Sequence, residues 1–333
     1  MKNWNIKEIQ NRIDEILPAG RVVPRHNKEG HFYEICENEH PIYPSVTGKL
    51  QVLKDPGLMN YKMNRAIESL KNFMFGLINL PDMGDIDKAC EIAGRVSQDI
   101  LEDAGDIGTR IHDLREKIFA EWIKTGVKPV DFLSFIPPEE VDIRVTSGIR
   151  ALRKFVDERD YIPVACELLV YSHEYKTAGT LDDLGLMRKV DREGNKECNH
   201  MGFDLFCNEK YEVSQLMKCE NGAYRCLNCD YKCHYQFVLM DIKTSNQLKD
   251  HYFFQVSVYW KMFWKLMGAQ FKPEKCIIVQ LSKENGTYKI EELKELAKLA
   301  QYSNHMIKTN EGIDFIKVLR KDNQRKVAPL MQL

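Results

Sequence analysis

Asp241 and Lys243 occupy alternate positions in segment 236–244, whose other residues are largely apolar. Alternate side chains of a β-strand point to the same face, so the two charged groups are expected to lie side by side. A carboxylate and an ammonium group at a strand end can hold a divalent cation and orient a water molecule for attack. The same triplet also occurs as a solvent-facing ion pair at a strand edge, so these two residues leave both interpretations open.

Other candidate metal ligands lie upstream of this pair. Glu167 lies in the β-rich segment 162–171, Asp182 lies in the β-rich segment 179–187, and His112 lies on an apolar helical face. Mg²⁺ prefers oxygen ligands and usually keeps several waters, so two or three carboxylates and a substrate phosphate suffice to hold it. Taken alone, a histidine in the position of His112 is more often a buried core residue than a ligand. A site for Mg²⁺ or Mn²⁺ therefore requires a fold that brings these residues together.

Five short motifs follow one another in a fixed order. They are GTxxH at 108–112, Glu167, GTLD ending at Asp182, DIKT with Asp241 and Lys243, and QxxxY with Gln255 and Tyr259. This ordered set resembles the RecB-like, phage-type exonuclease branch of the PD-(D/E)XK nuclease superfamily. The YPSVT segment at 43–47, before a Leu- and Lys-rich helix, is also similar to the N-terminal region of phage-type members. The resemblance covers about residues 43–282.

The resemblance implies a role for each matching residue. Asp182, Asp241 and His112 would bind the catalytic Mg²⁺ or Mn²⁺, and Lys243 would position the attacking water and stabilise charge on the phosphate. Gln255 and Tyr259 would support the lysine and contact nucleic acid, and their spacing of four places them on one helix face. Glu167 is either a supporting acid or an ordinary strand residue.

The function that the resemblance implies is a metal-dependent deoxyribonuclease, an exonuclease acting in DNA recombination, repair or phage DNA metabolism. Its expected partners are single- or double-stranded DNA and a recombination or replication protein. One alternative is a non-catalytic DNA-binding or adaptor module on a nuclease-like scaffold. Another is a sequence-specific endonuclease. The residue pattern leaves strand preference and polarity open.

A cysteine-rich segment separates Asp182 from Asp241, where this nuclease family normally has a short connection. Six of the ten cysteines lie in residues 198–233. Zinc takes four nitrogen or sulfur ligands, commonly from two short knuckles, and Cys198 with His200 and Cys226 with Cys229 provide such a set. Cys207, Cys219 or Cys233 are alternative ligands, and an iron–sulfur cluster is an alternative cofactor. The scattered cysteines are expected to be small buried side chains: Cys36, Cys90, Cys166 and Cys276.

The periodicity predicts an α/β fold, with a mixed central sheet flanked by helices as in the restriction-endonuclease-like core. We expect a mainly helical N-terminal region at 1–100 packed on a nuclease core at 101–333, with a zinc-ribbon finger inserted at 190–236. Helices are expected at 1–20, 86–125, 141–159, 250–267 and 293–309, a hairpin within 31–46, and strands at 162–171, 179–187, 236–244 and 275–282.

Composition excludes several classes of protein. The formal net charge is −1, from 48 basic and 49 acidic residues, so nucleic acid would have to bind a local patch. No segment has the roughly 18 consecutive apolar residues of a membrane span, and the N-terminus lacks the apolar core of a signal peptide. We therefore expect a protein of the cytoplasm of a bacterial or phage-infected cell, without a membrane partner.

Overall fold

The computed structural model describes residues 6–27, 30–37, 39–50, 67, 83–188, 217–218, 224–225, 232–233 and 235–308. Its central element is a mixed sheet of five strands: β4 (Ile162–Ser172), β5 (Thr177–Arg188), β9 (Tyr235–Lys243), β10 (Lys275–Leu281) and β11 (Tyr288–Glu292). The spatial order is β11-β10-β9-β5-β4. Only β9 and β10 run parallel within it, and every other neighbouring pair is antiparallel.

Helices flank this sheet, which confirms the predicted α/β class. They are α1 (Ile6–Ile16), the short α2 (Val46–Lys49), α3 (Met83–Thr125), α4 (Ile143–Arg159), α5 (Asp250–Met267) and α6 at 296–308. The connection from β9 to the parallel β10 passes through α5, as a parallel pair requires a crossover. Helix α3 runs continuously across residue 100, where the expected N-terminal region and the expected core meet.

The N-terminal region contributes a second sheet in addition to helices. It consists of β1 (Val22–Asn27), β2 (Gly30–Ile35) and β3 (Ile42–Pro44), paired in chain order. The predicted hairpin is formed by β2 and β3, whereas β1 was not predicted. Thr177 at the start of β5 donates a hydrogen bond to the Pro44 carbonyl at 2.9 Å, which ties this sheet to the central one.

Ser45 ends β3 and caps α2, as expected for a serine before a helix. Its hydroxyl accepts a hydrogen bond from the Gly48 amide at 2.9 Å. The YPSVT segment therefore forms a strand-to-helix corner, and Val46 from this corner is fully buried in the main core.

The main core lies between the sheet and its helices. The face of α5 formed by Val256, Val258, Tyr259, Met262 and Phe263 is buried there. Helix α1 also buries Ile6, Ile9 and Ile13 in this core. No helix among the described residues combines the length and the apolar composition that crossing a membrane requires.

Two motif glycines permit close approaches between motifs. A Cβ on Gly179 would lie 2.7 Å from the Tyr259 hydroxyl oxygen, and a Cβ on Gly108 would lie 2.9 Å from Thr244 Oγ1. Real Cβ atoms essentially never come this close to another heavy atom. The GTLD motif thus packs against the QxxxY motif, and the GTxxH motif packs against the DIKT motif.

We expect Gly179→Ala to destabilise the fold by about 1–3 kcal/mol, because the new methyl group overlaps the Tyr259 ring. Gly105→Ala on α3 is the matched control, since a Cβ there meets nothing within 4 Å. That control is expected to stabilise by about 0.5–1 kcal/mol, because alanine is the better helix former. Urea denaturation measures both. An unchanged midpoint for Gly179→Ala would contradict the close approach.

Candidate active site

Three carboxylates lie in one row across neighbouring strands. The β5–β9 register ends at the pair Asp183–Met240, so Asp182 lies next to Asp241 one step further along. On the other side, Glu167 lies between the pairs Cys166–Asp183 and Leu168–Leu181, and therefore opposite Asp182. Acids from three separate stretches of sequence thus meet at one position of the sheet.

The backbone pairing between β5 and β9 ends at Asp183, next to this row of acids. Beyond Asp183, the Asp182 carboxylate accepts a hydrogen bond from the Ile242 amide at 2.7 Å, in place of a ladder bond. This bond holds the Asp182 side chain against β9 beside Asp241. Burial alone would raise the pKa of Asp182, but Lys243, Arg115, His112 and the Ile242 amide together lower it. Asp182 is therefore ionised at neutral pH.

Glu167 has an unusual backbone conformation for a strand residue. Its φ is +48°, in the left-handed region that costs a residue with a Cβ about 1–2 kcal/mol. Such strained residues cluster at functional sites, where the surrounding structure holds them in place. Burial raises the pKa of the Glu167 carboxyl, and this outweighs the Arg115 guanidinium, which lowers it.

His112 completes a cluster of candidate metal ligands. One ligand atom from each of His112, Glu167 and Asp182 lies within 4.8 Å of the other two. The distance from His112 Nδ1 to Asp182 Oδ2 is 3.9 Å. Burial lowers the pKa of His112, and this outweighs the attraction of Asp182. The neutral imidazole is the form that binds a metal.

Lys243 and Asp241 form the predicted pair. Lys243 Nζ lies 2.7 Å from Asp241 Oδ2, and the two side chains are 15% and 3% exposed. The same ammonium group lies 4.9 Å from the centre of the Tyr252 ring. Burial would lower the pKa of Lys243, but Asp241 and Asp182 raise it overall. Burial raises the pKa of Asp241 to about 7, with a further increase from Asp182, although Lys243 opposes the shift.

Arg115 binds two acids of the cluster and the backbone of Asp182, and the sequence analysis did not predict it. Its side chain is completely buried. It donates to the Asp182 carbonyl at 2.8 Å and to Asp183 Oδ1 at 2.9 Å, and it also pairs with the Glu167 carboxylate. Burial would lower the pKa of Arg115, but Asp183, Asp182 and Glu167 raise it further above its ordinary value. Burial raises the pKa of Asp183 to about 8 despite this ion pair.

The charges in this cluster do not balance when every acid is ionised. Glu167, Asp182, Asp183 and Asp241 carry four negative charges, and the described cations paired with them are Arg115 and Lys243. With a neutral His112 the cluster then carries a charge of −2. A bound divalent cation would neutralise this charge, and in its absence the raised pKa values of Asp183 and Asp241 favour their protonated forms. The arrangement therefore fits Mg²⁺ or Mn²⁺.

Gln255 and Tyr259 lie on one face of α5, as predicted. Gln255 donates a hydrogen bond to the Tyr259 hydroxyl at 3.3 Å. Tyr259 is 4% exposed and touches Gly179 of the GTLD motif. Burial raises the pKa of Tyr259, and the charges of Asp241 and Asp182 contribute to the shift. These two residues thus line the sheet near the carboxylates, and the contact with the Lys243 ammonium comes from Tyr252.

The predicted zinc ligands Cys198, His200, Cys226 and Cys229 lie outside the described residues, as do Cys207 and Cys219. What the structure describes nearby is a small antiparallel sheet: β6 (Met217–Lys218), β7 (Tyr224–Arg225) and β8 (Lys232–Cys233). Strands β7 and β8 pair directly with each other on either side of the Cys226–Cys229 segment.

Sequence signals for the residues that were missed are present but weak. Arg115 follows His112 by three residues, so the two share one face of α3. Asp183 directly follows the motif aspartate Asp182. Both signals occur by chance in most helices and strands. Only the fold shows that they converge on the same carboxylates.

A scan against protein-family models finds no family that matches this chain, and a search of curated proteins finds no match.

Metal binding is expected to become stronger as pH rises from 6 to 8. The raised pKa values of Asp241 and Asp183 mean that the folded chain keeps protons that the unfolded chain releases above the ordinary pKa of 3.8. The free energy of unfolding therefore falls as pH rises from 3.8 to about 7–8, where these protons are also lost from the folded chain. A bound divalent cation replaces those protons, so Mn²⁺ should raise the melting temperature more at pH 8 than at pH 6. Thermal melts with and without Mn²⁺ measure this difference. Equal increments at both pH values, or the same increments in Asp182→Asn, would contradict it.

Proposed function

We propose that this protein is a divalent-metal-dependent DNA nuclease that hydrolyses phosphodiester bonds. The observation that carries the proposal is the row Glu167–Asp182–Asp241, with Lys243 on Asp241 and His112 within ligand distance of Asp182. A purely structural role does not explain why four acids meet only two of the described cations at one point, because burying uncompensated charge is costly.

The proposed ligands of the metal are His112, Asp182 and Glu167, together with Asp241 across the ladder. When bound, Mg²⁺ or Mn²⁺ would supply an activated water and stabilise charge on the leaving oxygen. In this ligand set Glu167 is a metal ligand, whereas the sequence left it as either a supporting acid or an ordinary strand residue.

The chain's own groups have separate roles in this proposal. Asp241 fixes the Lys243 ammonium group, which is then able to donate to the attacking water and to a non-bridging phosphate oxygen. As water adds to phosphorus, the bond from phosphorus to the leaving sugar oxygen breaks, and a proton passes to that oxygen. Arg115 keeps Glu167 and the Asp182 backbone in place without needing to touch the substrate.

We propose the fold type, biological role, partners and location of the protein together with this activity. The mixed sheet with helices around it is compatible with a restriction-endonuclease-like core, and the order of motifs favours an exonuclease in recombination, repair or phage DNA metabolism. The cysteine-rich segment would carry a structural Zn²⁺. DNA, and a recombination or replication protein, would be the partners, in the cytoplasm of a bacterial or phage-infected cell.

The test is incubation with end-labelled linear DNA and closed circular DNA in Mg²⁺, Mn²⁺ or EDTA, beside the Asp182→Asn variant. We expect metal-dependent loss of the linear substrate and survival of the circle, with no loss in the variant. Cleavage of the circle would favour an endonuclease. DNA binding without cleavage in either metal would replace the proposal with a non-catalytic DNA-binding module.

A further inference from the structure

We propose that Glu34, Cys36 and His40 form a second metal site, for a borderline-soft ion such as Zn²⁺, at the edge of the N-terminal sheet. One ligand atom from each of the three residues lies within 4.8 Å of the other two. Glu34 lies on β2, Cys36 directly follows that strand, and His40 lies in the loop that leads to β3. The site is independent of the proposed nuclease activity.

The chemistry of the three side chains fits zinc better than magnesium. Thiolate and imidazole groups are typical zinc ligands, and a carboxylate completes many zinc sites. Mg²⁺ prefers oxygen ligands only, so a site with sulfur and nitrogen separates the two metals. Cys36 is a free thiol and is half-buried, which corrects the expectation that it is simply a buried small side chain.

The spacing of two of the ligand atoms is close to what a tetrahedral ion needs. His40 Nδ1 and Glu34 Oε1 form a hydrogen bond of 3.1 Å, which an ion bound between them would replace. Zinc bonds of about 2.0–2.1 Å at a tetrahedral angle hold a nitrogen and an oxygen ligand about 3.3 Å apart. The other Glu34 oxygen, Oε2, accepts a hydrogen bond from Arg25 Nε at 3.0 Å. One carboxylate oxygen is therefore anchored, while the other is directed at the imidazole.

The loop that carries Cys36 and His40 is held in place by several hydrogen bonds. The Ile35 amide donates to the Pro41 carbonyl at 2.9 Å, and the His40 amide donates to the Glu37 carbonyl at 3.0 Å. The Glu37 carboxylate in turn accepts from the Tyr171 hydroxyl at 2.6 Å. A loop fixed in this way loses little conformational entropy when it binds an ion, so three protein ligands suffice for useful affinity.

The fourth ligand position has room for water. Cys36 and His40 line an open cavity of about 810 Å³, together with polar residues such as Arg21, Tyr43 and His173. A site of three protein ligands beside open, polar space is the arrangement in which zinc keeps a water molecule.

The test is zinc content by mass spectrometry after dialysis, for the wild-type chain and the variants Cys36→Ser and His40→Ala. The variants Cys276→Ala and His26→Ala are the matched controls, because they remove a thiol and an imidazole elsewhere. Zinc bound by the cysteine-rich segment or the active site is the same in all five proteins and cancels in the comparison. We expect each of the first two variants to lose one zinc per chain and each control to lose none.

A second readout uses Co²⁺ in place of Zn²⁺. Bound thiolate gives a charge-transfer absorption band, which should decrease in Cys36→Ser and stay unchanged in Cys276→Ala. Circular dichroism checks that each variant is folded. Wild-type zinc content and an unchanged cobalt band in folded Cys36→Ser and His40→Ala would overturn the proposal. DNA cleavage should be the same in both variants as in the wild type, so failure here is distinguishable from failure of the nuclease proposal.

Discussion

Replacing Lys243 with alanine is expected to lower the rate of DNA cleavage by about 10²–10³-fold, as losing a group that stabilises transition-state charge does in other enzymes. The fold should survive, because the partner left behind, Asp241, already has a raised pKa of about 7. Without the ammonium group, that pKa rises further and the buried acid becomes neutral. The measurement is the single-turnover cleavage rate in Mg²⁺ at saturating enzyme.

Lys298→Ala is the matched control for this variant. Lys298 carries the same charge but is 59% exposed, and its ion pair is with Glu295 on the surface. The Lys298→Ala variant should cleave DNA at the wild-type rate. If folded Lys243→Ala cleaved DNA as fast as Lys298→Ala, Lys243 would have no part in the mechanism.

Replacing Arg115 with methionine is expected to cost about 3–5 kcal/mol of folding stability, the usual loss when one partner of a buried ion pair is removed. Arg115 is fully buried and holds Asp183, Glu167 and the Asp182 carbonyl. Methionine fills much of the volume but leaves three acceptors without their donor. Urea denaturation at pH 7.5 in EDTA measures the loss.

Arg144→Met is the control for burial. Arg144 also bridges two acids, Asp103 and Asp142, but its side chain is 40% exposed. Solvent replaces its hydrogen bonds, so the loss should be much smaller than for Arg115. The Arg115→Met loss should also be smaller at pH 5.5 than in a second series at pH 9, because Asp183, whose pKa is about 8, is protonated at pH 5.5 and mostly ionised at pH 9. A loss of similar size in both arginine variants would contradict the role assigned to Arg115.

The elements of the central sheet were largely predictable from sequence because their signals are local. Four of its five strands were expected from short apolar runs bounded by turns, and each appears within one or two residues of the expected bounds. Helix α5 and the long helix α3 were equally clear from their periodicity. Strand β11 was missed, because its sequence YKIEE is short, charged and half exposed at the sheet edge.

The site was only partly predictable, since its geometry depends on pairings between distant strands. Asp241 and Lys243 are two residues apart on one strand, so their pairing follows from strand geometry alone. The left-handed backbone at Glu167 and the contact between Arg115 and Asp183 have no comparable local signal. They result from the β4–β5 register and from the way α3 packs on the sheet, neither of which a strand pattern specifies.

Strands β5 and β9 are paired at the point where the chain leaves and re-enters the central sheet. Arg188, the last residue of β5, lies directly opposite Tyr235, the first residue of β9. Lys243 lies at the far end of β9, about 26 Å away at the usual strand rise. Because the two ends of segment 189–234 meet as directly paired residues, we expect a change in the length of that segment to leave the strand register that assembles the carboxylates unchanged.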